Sequence, residues 1–72
     1  MELKIKYNKL QDKLQKLMQI KSDYIRMLNS ESDEIMSNFY VSEINSLDAE
    51  ISAISYDINI MEMDINFQKA LA

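Results

Sequence analysis

Residues 40–67 read YVSEINSLDAEISAISYDINIMEMDINF, and their apolar residues form two series rather than one. Tyr40, Ile44, Leu47, Ile51, Ile54, Ile58, Met61 and Ile65 recur with gaps of four and three. Ala49, Ala53, Tyr56, Ile60, Met63, Phe67 and Ala70 follow the same rhythm two residues out of step. Two residues turn a helix by about 200°, so the stripes lie on nearly opposite sides. A helix that is apolar on both sides must be covered on both sides. One antiparallel neighbour covers only one of them, so the stretch predicts a partner as well as a fold.

What surrounds the stretch excludes the other fold classes. The 72 residues contain no glycine, proline, cysteine or histidine. Without glycine and proline there are no phosphate-cradling loops, no ordinary φ > 0 turns and no helix breakers. All-β and dinucleotide-binding folds depend on those residues. Lack of cysteine excludes disulfides and thiolate metal sites, and lack of histidine removes the usual general base and the commonest metal ligand. A chain this short makes one domain, 1–72, and buries only about 60% of its unfolded surface, so a bound partner or oligomerisation is a common remedy.

Charge divides the chain in two. Residues 1–28 hold seven basic residues against three acidic ones, a net of +4, while residues 29–72 hold only Lys69 against nine acids, a net of −8. Two halves of opposite sign suit each other across a hairpin. The overall charge of −4 argues against nucleic acid, which needs an uncompensated positive surface. No apolar run approaches a membrane span, and the first residues lack a signal-peptide core. A cytoplasmic protein is expected.

Upstream of the quoted stretch, Leu3, Tyr7, Leu10, Leu14, Leu17, Tyr24 and Leu28 form one stripe, with Lys21 the charged residue at a seam position. Its stem can lie along apolar surface while the ammonium reaches water. Glu2–Lys6 and Asp12–Lys16 are well-spaced i,i+4 pairs, worth a few tenths of a kcal/mol each. The spacing predicts a helix over about 2–28. Asn29-Ser30-Glu31-Ser32-Asp33 then reads as the connection. Asn29 tolerates the left-handed conformation that closes a helix, Ser30 or Ser32 can cap the next one, and Asp33 and Glu34 suit its positive end. A turn over about 29–32 and a second helix over about 32–70 follow. One alternative stands beside the long helix: Ser46-Leu47-Asp48-Ala49-Glu50 resembles a helix start, which allows a break near 45. Residues 56–67 alternate as a strand does, but no turn residue is near and the heptad runs through from Tyr40, so helix is expected there too.

The fold expected is all-α, an antiparallel helical hairpin with a shorter first helix, a long second helix and coiled-coil-like packing. Its core is Leu10, Leu14, Leu17, Tyr24, Leu28, Ile44, Leu47, Ile51, Ile54 and Ile58. With the turn centred at 30–31, Leu3 falls opposite Ile58, and everything after about Asn59 projects past the first helix. That overhang would carry Ile60, Met61, Met63, Ile65 and Phe67 as an exposed tip. The partner interface expected is Ala53, Tyr56, Ile60, Met63, Phe67 and Ala70. Met61 is read as core. Isoleucine at 44, 51, 58 and 65 leans toward a bundle of more than two helices.

No catalytic constellation is found. Asp57, Glu62 and Asp64 could suggest a carboxylate cluster, but no histidine stands at i+3 or i+4, and they read as a solvated face. The serines have no base to activate them. No enzyme and no cofactor are expected. The unequal hairpin, the length near seventy residues, the acidic second helix and the missing catalytic groups resemble the small co-chaperones of type III secretion needle subunits. That resemblance implies a hairpin that pairs with a larger helical-repeat chaperone and keeps the needle subunit from polymerising in the cytoplasm, with Tyr56, Ile60, Met63 and Phe67 as its docking face. Needle subunits are themselves short hairpins, but their Pro-containing turn is replaced here by residues 29–33. Two other readings remain open: a self-assembling homo-oligomeric scaffold or regulator, and an acidic inhibitor from a phage or mobile element.

Overall fold

The computed structural model describes residues 2–71 and consists of α1 (Glu2–Ser30) and α2 (Glu34–Leu71), packed side by side in opposite directions as a helical hairpin. The expected architecture is the one formed, with the second helix the longer. α2 runs unbroken through Asn45-Ser46 and through residues 56–67. Neither the break near 45 nor a strand occurs among the described residues. An apolar series at four–three spacing makes one continuous face only on a helix, and no glycine or proline interrupts it. The molecule measures 57 × 15 × 14 Å. Its long axis is the length of α2 alone, whose 38 residues at about 1.5 Å each need about 57 Å.

The connection differs from expectation in position and chemistry. α1 continues through Asn29 and Ser30, so the turn is residues 31–33. No described residue has positive φ, and Asn29 does not close the helix in the left-handed region. The helix ends instead by tightening. Glu31 N–H donates to the Leu28 carbonyl at 3.2 Å, and the Ser30 hydroxyl lies 3.2 Å from the Arg26 carbonyl and 3.3 Å from that of Met27. Of these, the Leu28 and Met27 carbonyls are among the last four, which a helix end leaves without partners.

The cap of α2 is Asp33, not Ser30 or Ser32. Its carboxylate accepts the Ile35 N–H at 2.9 Å, its carbonyl accepts the Ser37 N–H at 2.9 Å, and its own N–H donates to the Glu31 carboxylate at 3.0 Å. Because α1 consumes Asn29 and Ser30, Asp33 stands directly before the first helical residue. There its side chain reaches the free N–H groups and its charge meets the positive helix end. Asp33→Ala should therefore lower stability by about 1 kcal/mol with the helices retained, read from the urea midpoint. A midpoint unchanged by the substitution would leave the cap without an energetic role.

The register corrects the expected overhang. Tyr7 meets Glu62, whereas the expected alignment sets it opposite Ile54. Leu3 shares a groove with Ile65, Gln68 and Lys69. α1 therefore accompanies α2 almost to its end, and Met61 and Ile65 are half-buried beside it. Two causes add. The turn sits later in the chain than expected, and each such residue moves the facing position by two. Side chains also lean toward the N-terminus of their own helix, so touching residues come about one position later on each strand of an antiparallel pair.

Burial follows from there being only two helices. Ile54 and Ile58 alone among the described residues are buried, each 6% exposed. Leu10, Leu14, Leu17, Tyr24, Leu28, Ile44, Leu47 and Ile51 are half-buried along the same seam. Near the connection, Tyr24 and Tyr40 pack with ring centroids 6.0 Å apart, and Phe39 meets Tyr40 edge-on at 5.8 Å. Such tilted pairs suit the ring quadrupole.

Candidate protein-docking face

Every residue expected at the partner interface lies in the open. Ala53, Tyr56, Ile60, Met63, Phe67 and Ala70 are all exposed. Tyr56 is 66%, Ile60 42%, Met63 70% and Phe67 64% accessible. Of the two reasons the sequence suggested, the opposite-facing stripe applies and the overhang does not. They do not project beyond α1. They lie on the side of α2 turned away from it, because the seam uses the stripe about 200° round the helix. Helix geometry brings them into one line along a rigid element, while Ile54 and Ile58 between them point into the seam.

The face is longer than the spacing of its large residues indicates. Ile35, Phe39 and Leu71 are exposed and continue it at both ends. The signal was present in the sequence as a four–three series running back from Ala53 through Ala49, Ser46 and Ser42 to Phe39 and Ile35. The two serines disguise it, since they keep the rhythm without being apolar. An outer face with small residues in its middle and large ones at either end results.

The accessible surface of the chain totals 5718 Å². A compact protein of 8.5 kDa exposes about 4,650 Å² by the usual size scaling. The excess of roughly 1,000 Å² is close to what one partner contributes to a standard stable interface.

Polar contacts across the seam sit on its other edges. Lys21 pairs with Asp48, so the one charged seam residue of α1 does more than place its ammonium in water. Asp48 was the missing half of that reading, and only the true register brings the two together. Such a half-exposed pair contributes at most about 1 kcal/mol. The other ion pair among the described residues is Arg26 with Asp23 within α1, to which Gln19 also donates. Glu2–Lys6 and Asp12–Lys16 are not formed, because fixing two exposed side chains costs as much as their attraction returns.

At the open end, the Tyr7 hydroxyl donates to Glu62 Oε1 at 2.8 Å, and the Gln11 amide donates to the Tyr7 oxygen at 2.8 Å. The hydrogen bond to Glu62, then desolvation and the nearby negative charge, raise the Tyr7 pKa above its ordinary value. A raised phenol pKa means the folded state favours the protonated form. Its contribution is thus complete below the unfolded value of about 10 and is lost as pH rises through the folded value. Tyr7→Phe should be less stable than the parent at neutral pH, with the gap between them closing above about pH 10. Paired urea titrations across that range measure it, and a gap independent of pH would show that the phenol proton is not what Glu62 holds.

The carboxylates do not converge. Glu62 is engaged with Tyr7, while Asp57 and Asp64 lie on a different edge of α2. Among the described residues no group of three or more metal-ligating side chains forms. No helix of the described residues is long and apolar enough to cross a membrane. Comparison with known protein families, with curated proteins and with solved structures returned no match.

Proposed function

We propose that this hairpin is a non-enzymatic protein–protein interaction module whose working surface is the outer face of α2. In its most specific form it is a small cytoplasmic co-chaperone of a type III secretion system, helping to keep an assembly subunit soluble. The observation that carries the interaction reading is the continuous exposed line Tyr56–Ile60–Met63–Phe67 on a helix whose opposite side already holds the fold together. Apolar lines of this kind on a rigid helix seat against a complementary groove, with anchors at i, i+3, i+4 and i+7. The co-chaperone form rests on size, the unequal helices and the acidic second helix.

The test is co-purification from the native cell with the parent chain and with the Ile60→Asp, Phe67→Asp double variant. A helical-repeat chaperone or a needle-type subunit retained by the parent and lost with the variant supports the specific form. An unrelated protein with the same dependence supports the interaction module alone. Retention of every bound protein by the variant removes the outer face from consideration.

A further inference from the structure

The two edges of the outer face differ in charge, and the difference selects what can cover it. Glu43, Glu50, Asp57 and Asp64 follow one another at intervals of seven, which keeps them within about 60° of each other along one edge. Glu50, Asp57 and Asp64 stand three residues before Ala53, Ile60 and Phe67, so each carboxylate neighbours a residue of the apolar line. Asn45, Ser52, Asn59 and Asn66 take the same seven-residue interval on the other edge and are all exposed and uncharged. Among the described residues, none of the four carboxylates is in an ion pair; the α2 acid that is paired with a lysine is Asp48.

We infer that the occupant of the outer face is an amphipathic helix that carries basic residues along one edge of its apolar stripe. This rests on the reading of α2 as a docking face and adds the chemistry of the partner. A second copy of α2 is the obvious rival. When two identical helices meet antiparallel on this stripe, the same edge of each falls on the same side, so carboxylate column meets carboxylate column. Like charges in facing positions oppose association, and a parallel copy would set the column only against the neutral edge, which offers it no counter-charge. A basic edge instead meets the column directly, and the neutral edge tolerates any polar neighbour. The charged edge thus fixes which way round the partner helix lies, while the apolar line supplies the contact area.

The test uses the full chain and three designed helical peptides of about three heptads with leucine at four–three spacing. They differ only in one heptad column beside the leucines, which is lysine, glutamine or glutamate. Binding is measured by fluorescence anisotropy at low and high salt. The lysine peptide should bind about tenfold more tightly than the glutamine peptide at low salt, with the advantage shrinking as salt rises, and the glutamate peptide should bind most weakly. Asp57→Lys with Asp64→Lys, both at exposed positions, should reverse the order of the lysine and glutamate peptides.

Equal binding of all three peptides overturns the basic occupant and leaves the docking face standing. Failure of all three to bind overturns both. Sedimentation of the chain as a dimer that Ile60→Asp with Phe67→Asp dissociates assigns the face to a second copy and overturns the inference.

Discussion

Alanine at Ile58 is expected to leave the isolated hairpin largely unfolded at 25 °C. Ile58 and Ile54 are the two buried side chains of the described residues, and each is surrounded by seam residues that are only half-buried. Truncating a buried isoleucine to alanine costs about 2–5 kcal/mol through lost transfer energy and the cavity left behind. A single small core of this size rarely supplies more than about 3–5 kcal/mol in total. One substitution therefore removes most of what holds the helices together. Thermal melts followed by helical circular dichroism measure it, with Met63→Ala as the control. Because Met63 is exposed, its loss should stay within about 0.5 kcal/mol. An Ile58→Ala midpoint within a few degrees of the parent would mean that the seam is not the main source of stability.

The second large effect concerns association rather than folding. Ile60→Asp together with Phe67→Asp should abolish capture of the partner while leaving the helical content of residues 2–58 largely intact. Both side chains face away from α1, so the fold loses little beyond helix propensity, a few tenths of a kcal/mol per aspartate. The partner loses two large apolar anchors and meets two added charges beside an edge that is already acidic. Anchors of this kind are worth about 2 kcal/mol or more each, so affinity should fall by more than about a thousandfold. Circular dichroism and co-purification on the same preparation separate the outcomes. Survival of both fold and association would mean that the interface lies elsewhere.

The hairpin, the continuity of α2 and the division of its apolar residues into an inner and an outer stripe were legible from the spacing alone. Spacing reports angle around a helix, and angle decides which residues can share a face. Height along the helix is a different quantity, which spacing does not report. The expected overhang after Asn59 depended on where the turn fell, and an error of one or two residues there is doubled across the seam. Tyr7 beside Glu62 and Lys21 beside Asp48 were invisible for the same reason. The turn itself was misplaced because Asn29 and Ser30 have loop-forming character, yet as helix-end residues they can stay helical when a better cap follows. Asp33 is that cap. The outer face was read short at both ends because Ser42 and Ser46 carry the rhythm without the hydrophobicity.

The way the seam is fastened bears on how it closes. Its covalent tie is residues 31–33, and the contacts across it join residues ever further apart in sequence, reaching a separation of 55 between Tyr7 and Glu62. The entropy of closing a longer loop grows only logarithmically, so once the tyrosines beside the connection meet, the rest can follow as a zip. The last teeth to engage lie at the open end, on the reverse side of the helix that presents Met63 and Phe67. A helix seated on that outer face stiffens the same turns that the final teeth must hold in line. On the docking reading proposed above, capture of a partner and completion of the zip would draw on one ordering cost, each lowering it for the other.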